Sequence, residues 1–357
     1  MHYVFAARAP TTRHLSTLMR ARATTSPARF ALHRARVSRR RPTGVVRAAA
    51  ADNYAAIDAA LSDIRALPPS ERPEALERAT SVVRENLNAL KDSDAVAVWN
   101  SYGANLERRN VFPREFSQVG VKNAESIGRP SDANDAQFML AVTMSTSLLA
   151  VIVGATLPGD WGAFGAYLIG GISLAVLAVG STAPGLLKVA IDRFSRINPE
   201  YRRRVARHEA GHFLVGYAMG VPVGSYDLGI DSSHINFLEA KIERKIFSGE
   251  KLTPTEVLPL AVISMSGVAA EAVEFEEVMG QTADLYDLQR ILNRVNPKLS
   301  DAQQQQTTRW AVWYAASILK THRGAWDALT EKMQEGAPVI ECLKAIESAP
   351  KIDVEIK

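Results

Sequence analysis

Two long runs without a charged side chain dominate the middle of the chain. They cover residues 136–159 and 161–187, and the polar break Pro158-Gly159-Asp160 lies between them. Residues 138–157 alone supply the ~20 apolar residues that cross a hydrocarbon core of ~30 Å. Small residues early in the second run would let two helices approach closely. The pattern therefore predicts a two-helix transmembrane hairpin over residues 136–187, and a buried hairpin in a soluble protein is the alternative.

Basic residues flank the hairpin on both sides, whereas its loop carries only Asp160. Because the connection is very short, both flanks must lie on the same side of the membrane. The positive-inside rule places that side in the organelle interior, stroma or matrix. Residues 188–357 would then form one soluble domain there. The flanking basic residues are Arg108, Arg109, Arg114, Lys188, Arg193, Arg196, Arg202, Arg203 and Arg204.

The segment before the hairpin has two amphipathic stripes at helical spacing, separated by Pro68-Pro69-Ser70. We predict a helical N-terminal region over residues 48–105, packed on itself or on a partner. Residues 106–135 are rich in Pro, Gly, Asn and mixed charge, which predicts a linker. The stripes consist of Tyr54, Ile57, Leu61 and Ile64, then Leu76, Val83, Leu87 and Leu90.

Charge is distributed unevenly along the chain. Residues 1–47 contain eleven arginines and no Lys, Asp or Glu, which is typical of an organelle transit peptide. Val45-Val46-Arg47-Ala48-Ala49 resembles a chloroplast processing site, so we predict cleavage near Ala48; a mitochondrial presequence and a retained basic arm are the alternatives. The other residues carry 31 basic and 38 acidic side chains, which argues against nucleic-acid binding. The single cysteine, Cys342, excludes an internal disulfide.

A helix with clear ends follows the hairpin. Asn198 is a suitable N-cap, Pro199 suits the first position, and Gly220 fits a C-terminal stop, which predicts a helix over residues 199–219. This helix carries the sequence His208-Glu209-Ala210-Gly211-His212. The two histidines are four residues apart, so their imidazoles project from one face about one turn apart.

Two imidazoles at this spacing can share one Zn²⁺ ion, whereas the alternative is a charged helix with surface histidines. Glu209 lies next to the first histidine, where its carboxylate can act as general base and then as general acid towards a water activated by Zn²⁺. Gly211 is costly inside a helix, so we expect backbone or substrate to approach closely there.

A zinc site also needs a third ligand. Asp284 and Asp287 are three residues apart in a helix-like segment; one would bind the metal, and the other would cap the helix or orient a histidine. His234 is a possible ligand, although a lone histidine is more often part of a polar surface. The glutamates that are candidates by residue type are Glu271, Glu274, Glu276 and Glu277.

Three motifs resemble those of FtsH-type membrane metallopeptidases. The sequence from His208 to Val215 resembles the active-site helix of that family. Residues 266–271, Ser-Gly-Val-Ala-Ala-Glu, are similar to its Gly-Gly-Arg-Ala-Ala-Glu segment. Thr282 with Asp287-Leu288-Gln289-Arg290 resembles its segment ending in Asn-Asp-Leu-Gln-Arg. The likeness covers about residues 199–347. Because that aspartate is the family's third zinc ligand, the resemblance implies that His208, His212 and Asp287 bind the metal.

The sequence also departs from that family. FtsH proteases carry an ATPase domain between membrane segments and peptidase, where this chain has only residues 188–198, and the sequence contains no GxxxxGK[ST] phosphate loop. Ser266, Val268 and Tyr286 replace the family's Gly, Arg and Asn. We therefore expect a zinc metalloendopeptidase of the HExxH type without its own ATPase. The alternative is a catalytically silent assembly or scaffold subunit that partners FtsH-type proteases.

These observations predict a mainly α fold, in which a zincin-like peptidase domain with short strands within residues 221–247 follows the transmembrane hairpin. The expected location is a chloroplast membrane, thylakoid or inner envelope, with the peptidase facing the stroma; the mitochondrial inner membrane is the alternative. Expected partners are the bilayer, membrane proteins or flexible tails as substrates, and further copies of the chain or FtsH-type ATPase proteases in an oligomer.

Overall fold

The computed structural model describes residues 44–66, 72–103, 106–127, 133–229, 233–238 and 250–350. Most of the predicted transit peptide therefore lies outside the described residues. The first helix begins at Gly44 and continues through Ala48, the predicted cleavage position.

The described chain is mainly helical, as predicted. Two short 3-10 helices, Pro113–Glu115 and Ser117–Val119, precede the hairpin. One antiparallel pair of strands, β1 (Val223–Leu228) and β2 (Ser233–Phe237), pairs Tyr226 with Ile235. The α-helices are α1 Gly44–Ala66, α2 Arg72–Asp92, α3 Ala133–Thr156, α4 Asp160–Thr182, α5 Pro184–Ser195, α6 Pro199–Ala218, α7 Pro254–Ser264, α8 Ser266–Glu274, α9 Gln281–Leu292, α10 Asp301–Thr321, α11 Arg323–Gln334 and α12 Val339–Ser348.

Helices α3 and α4 form the predicted hairpin. Both are long and apolar enough to cross a membrane, and almost none of either span is buried inside the protein. The turn between them uses Gly159 at φ +61°, a conformation that favours glycine. Thr146 of α3 and Ser173 of α4 share a hydrogen bond of 2.6 Å across the pair.

The second apolar helix is shorter than the sequence predicted. The uncharged run extends to Leu187, but α4 ends at Thr182 and α5 begins at Pro184. Proline lacks a backbone N–H and disfavours helical geometry in the residue before it, here Ala183. The predicted second span therefore consists of a helix of 23 residues and the start of a separate short helix.

A third segment, Pro254–Glu274, also has the length and composition of a membrane span, but 67% of its window is buried inside the protein. It consists of α7 and α8, which Met265 separates. Both helices contact α6, and α10 covers them from another side. This apolar segment therefore forms the centre of the core.

The N-terminal helices share this core. Ile57 of α1 and Leu87 of α2 are buried in the same apolar cluster as α6 and α8. The predicted linker is also folded against it, since Val111, Phe116 and Val119 are almost inaccessible to solvent. The prediction of a linker over residues 106–135 is thus wrong for 106–127, because apolar residues spaced among its polar ones anchor it to the core.

The carboxylate of Glu347 joins three distant parts of this core. It accepts hydrogen bonds from the backbone N–H groups of Ala97, Val98 and Trp99, at 2.6 to 3.1 Å, and from the Tyr217 hydroxyl at 2.9 Å. Burial and then the charge of Glu347 raise the pKa of Tyr217, so its hydroxyl remains a donor. The interaction connects the turn after α2 to α6 and α12.

We expect Glu347→Gln to lower the free energy of unfolding by about 1–3 kcal/mol, since a charged acceptor of several hydrogen bonds becomes a neutral one. Glu341→Gln on the same helix is the matched control. Glu341 is exposed, and the ion pair seen for it among the described residues is with Lys344 at 2.8 Å, so its loss should change stability by less than about 1 kcal/mol. Thermal unfolding followed by circular dichroism in detergent compares the two variants; equal losses would contradict this role of Glu347.

Candidate metal centre

Helix α6 has the ends that the sequence predicted. The Asn198 side chain accepts a hydrogen bond from the backbone N–H of Glu200 at 2.9 Å, and Pro199 occupies the first position. The helix ends at Ala218, and Gly220 follows at φ +81°. From Ala206 to Gly211 every residue is buried, so the motif lies inside the domain and is not a surface helix with exposed histidines.

Helix α8 approaches α6 closely at Gly211. A Cβ atom there would come within 2.7 Å of the Ala270 Cβ and 2.9 Å of the Ser266 carbonyl oxygen. The close approach predicted for Gly211 is confirmed, and the neighbour is the backbone of α8. The same crossing brings Gly267 against the two histidines, where a Cβ would lie within 3.0 Å of both Nε2 atoms.

Three side chains meet at this crossing. The Nε2 atoms of His208 and His212 are 3.2 Å apart. The carboxylate of Asp284 lies beside both, with Oδ2 at 3.4 Å from His208 Nε2 and Oδ1 at 3.3 Å from His212 Nε2. Together these three residues form a group that could hold a metal ion.

The third member is Asp284, and not Asp287 as the resemblance implied. The Asp287 side chain is 61% exposed and pairs with Arg290 at 3.3 Å. On α9, at roughly 100° per residue, Asp284 lies about 50° from the middle of the apolar stripe and Asp287 about 110° from it. The rotation turns Asp284 towards the core and Asp287 towards the outside. The apolar stripe consists of Leu285, Leu288, Ile291 and Leu292.

Each histidine is held through its other ring nitrogen. His208 Nδ1 lies 2.8 Å from Oε1 of Glu271, and His212 Nδ1 lies 2.9 Å from the Ile263 carbonyl oxygen. A hydrogen on Nδ1 can donate to these oxygens, which leaves the Nε2 lone pairs directed at the shared point. Ser266 Oγ lies 3.1 Å from His212 Nδ1 and donates to the same carbonyl at 2.6 Å.

Glu271 is itself fully engaged, although sequence reasoning identified it only as a possible ligand. It accepts hydrogen bonds from the backbone N–H groups of Met279 and Gly280, at 2.8 and 3.0 Å, and from Arg204 at 3.0 Å. Burial opposes its ionisation, but His208, the amides and Arg204 outweigh this effect and lower the pKa of Glu271. Its carboxylate therefore orients His208 and does not compete for the shared point.

A second ionic cluster holds α6 in place at Arg207, the residue before His208. The buried Arg207 contacts Glu274 at 3.3 Å and Asp327 at 2.5 Å, and its guanidinium stacks 4.2 Å from the Trp326 ring centroid. Arg323 reaches the same Glu274 at 2.7 Å. Glu274, another candidate by residue type, thus belongs to a structural ion pair away from the histidines.

The electrostatics of the three-residue group favour positive charge at its centre. Burial alone would lower the pKa of His208 and His212, but the nearby carboxylates outweigh burial and raise both: Asp284 first, with Glu271 at His208 and Glu209 at His212. Burial alone would raise the pKa of Asp284, but the two imidazoles lower it. The carboxylate is thus held ionised, and either protons or a cation can balance it.

The distances suit a site that could hold a metal ion. Donors bound tetrahedrally at ~2.0–2.1 Å are ~3.3 Å apart. The 3.2 Å between the two Nε2 atoms matches this value, and each Nε2 has a different carboxylate oxygen of Asp284 at 3.3–3.4 Å. Oδ2 of Asp284 is buried and has no hydrogen-bond partner among the described residues, so a cation would satisfy it. Two imidazoles and one carboxylate leave a fourth tetrahedral position for water or substrate, as in catalytic sites.

The group lies in a cleft of about 690 Å³. Glu209 lines it beside the histidines, and Asp287 lines it further along α9. Strand β2 forms the opposite wall, so the short strands predicted between the motifs are confirmed within Val223–Phe237. His234 also lines this wall, but it is not part of the group.

Comparison of the chain with protein-family models, curated proteins and solved structures finds no match. The likeness to FtsH-type peptidases therefore depends on the motifs themselves. The three residues that differ from the family motifs do not displace His208, His212 or Asp284. Ser266 contacts His212, Val268 is buried in the core, and Tyr286 is 68% exposed on α9.

We expect Gly267→Ala to abolish divalent metal binding, because the added methyl would occupy the space in front of both Nε2 atoms. Gly170→Ala is the matched control, since a Cβ there meets nothing within 4 Å. Titration of the metal-free protein with Co²⁺, followed by absorption spectroscopy, measures the effect. Unchanged Co²⁺ binding by Gly267→Ala would show that the shared point is not the metal position.

Glu271→Gln should weaken metal binding by about 10–100-fold without abolishing it, because a neutral amide orients and polarises His208 less well. Equilibrium competition with a chromogenic chelator measures the affinity. Glu276→Gln is the control, since Glu276 is exposed in the turn between α8 and α9. A loss of folding in Glu271→Gln, seen by circular dichroism, would instead assign Glu271 a structural role.

Proposed function

We propose that this protein is a membrane-anchored zinc metalloendopeptidase. The observation that carries the proposal is the group of His208, His212 and Asp284, with donor separations of 3.2–3.4 Å, at one side of a cleft that Glu209 also lines. The donor set matches the composition of catalytic zinc sites, with three protein ligands and one open position.

In this proposal the chain's own residues have distinct roles. His208, His212 and Asp284 would hold Zn²⁺, which as a Lewis acid would lower the pKa of water to ~7 and polarise a carbonyl. Glu209 accepts the proton of the attacking water and delivers it to the leaving amine. Glu271 and the Ile263 carbonyl fix the two imidazole rings, and the low exposure of the motif excludes bulk water from the ligands.

A zincin-like fold of the FtsH type is part of the proposal, with Asp284 in the role that the resemblance assigned to Asp287. The motif order, the crossing of α6 over α8 and the apolar hairpin support it. We further propose that the hairpin anchors the peptidase in a chloroplast membrane on the stromal side. An extended peptide could pair with the wall formed by β2 as it crosses the cleft.

The proposal predicts three different outcomes for three acidic residues. Glu209→Gln should retain zinc but lose about 10²–10⁴-fold in cleavage rate, because only the proton carrier is removed. Asp284→Ala should lose both zinc and cleavage. Asp287→Ala should retain both, because its exposed carboxylate pairs only with Arg290 among the contacts observed. Zinc content by mass spectrometry and cleavage of a quenched fluorescent unfolded protein, with the full chain in nanodiscs, provide the measurements.

The same assay separates the enzyme from the scaffold alternative. The chain is an assembly subunit if the wild-type protein binds zinc but cleaves nothing, and if the Glu209→Gln variant supports physiological function as well as the wild type does. If zinc content follows Asp287 rather than Asp284, the ligand assignment is wrong while the peptidase proposal stands.

A further inference from the structure

Helix α5 connects the apolar hairpin to the catalytic helix and contacts both α3 and α4. The Phe194 ring, near its C-terminal end, lies edge-on to the Phe138 ring with the centroids 5.6 Å apart. Phe138 is within the apolar span Asp135–Thr156, close to its first residue. Phe194 therefore lies at the level where the hairpin would leave the hydrocarbon.

Phe194 and Ile197, which we name the interfacial patch, are exposed although both are large and apolar. Their exposed fractions are 52% and 73%, and exposed arginines follow at Arg202 and Arg203. Apolar side chains flanked by basic ones at the end of a membrane span are typical of a surface in the headgroup region. The patch continues the exposed apolar surface of the hairpin, which indicates that lipid covers both.

The junction is also joined directly to the wall of the cleft. Arg196, between the two patch residues, is buried, and its guanidinium donates to the Gly229 carbonyl oxygen and to Ser233 Oγ. Ser233 begins β2 and lines the cleft. The guanidinium of Arg196 therefore connects the interfacial patch to the wall of the cleft formed by β2.

We propose that the interfacial patch lies at the boundary between lipid headgroups and acyl chains, and that it holds the cleft at the membrane surface so that the substrates are juxtamembrane segments of membrane proteins. This inference rests on the membrane anchoring and peptidase activity proposed above. His208 follows Pro199 by nine residues, or ~14 Å along α6, and Pro199 follows Ile197 of the patch by two residues. An extended substrate covers that distance with about four residues.

Site-directed spin labelling of the full chain in nanodiscs tests the position of the patch. The native Cys342 is fully buried, and burial raises its pKa to about 11, so it should remain unlabelled. Nitroxides are placed at Phe194→Cys and Ile197→Cys, with Leu148→Cys in the middle of α3 as the membrane reference. Tyr286→Cys is the matched aqueous control, because Tyr286 is a large exposed side chain on α9.

Collisions of each label with oxygen, which concentrates in lipid, are compared with collisions with a water-soluble nickel chelate. We expect the ratio of oxygen to nickel collisions at labels 194 and 197 to lie between the ratios at labels 148 and 286. Their nickel accessibility should be well below that of label 286. If labels 194 and 197 are as accessible to the nickel chelate as label 286 while label 148 is inaccessible, this inference is overturned and the membrane anchoring stands. A nickel-accessible label 148 would overturn both, while the cleavage assay above tests the peptidase activity independently.

The substrate class is tested with a membrane-anchored reporter whose cleavable sequence starts zero, five, ten or twenty residues from the bilayer. We expect cleavage to concentrate within about the first five residues. The same sequence as a free peptide tests peptidase activity alone. Efficient cleavage of the free peptide together with equal cleavage at all four distances would contradict the juxtamembrane preference and leave the peptidase proposal standing. Cleavage of neither substrate would contradict both.

Discussion

The close crossing of α6 and α8 is the constraint on which the rest of the site depends. Two helices normally pack with axes 8–10 Å apart, and the side chains between them set that distance. Here Gly211 on α6 and Gly267 on α8 carry no side chain at the contact. The backbone of α8 therefore lies directly beside both histidines, and Asp284 of α9 completes the group from another side. A larger residue at either glycine would separate the elements that carry the donors.

Polar interactions behind the crossing keep the imidazoles oriented. Glu271 connects His208 to two backbone amides and to Arg204, so a single carboxylate joins α6, α8 and the turn before α9. Arg207, which precedes His208, connects α6 to α8 and α11. Breaking a buried ion pair leaves an uncompensated charge, which resists any rotation of α6. The site thus has a rigid ligand face, as a metal with defined coordination distances requires.

The apolar hairpin and the candidate metal centre belong to one continuous arrangement. Helix α5 contacts the hairpin, Arg196 contacts the cleft wall, and α6 begins immediately afterwards. The turn after α2 also contributes to the core around α6, since Trp99 contacts Tyr217 and Glu347 of α12 bonds to both residues. In the proposed function, this arrangement sets the distance between the catalytic group and the bilayer without an intervening ATPase domain.

Local patterns in the sequence were sufficient for the hairpin, the ends of α6 and the two histidines on one face. These features depend on hydropathy, capping and helical period, which act over a few residues. The third member of the group was within reach as well, since the apolar stripe of α9 turns Asp284 inward, but matching Leu288-Gln289-Arg290 to a family motif moved the assignment to Asp287, one turn further along. Only the tertiary structure brought Glu271 behind His208, joined residues 106–127 to the core, and placed Gly267 against the two histidines. Those contacts join residues more than fifty positions apart, and they depend on how helices cross, which the local pattern of one chain does not encode.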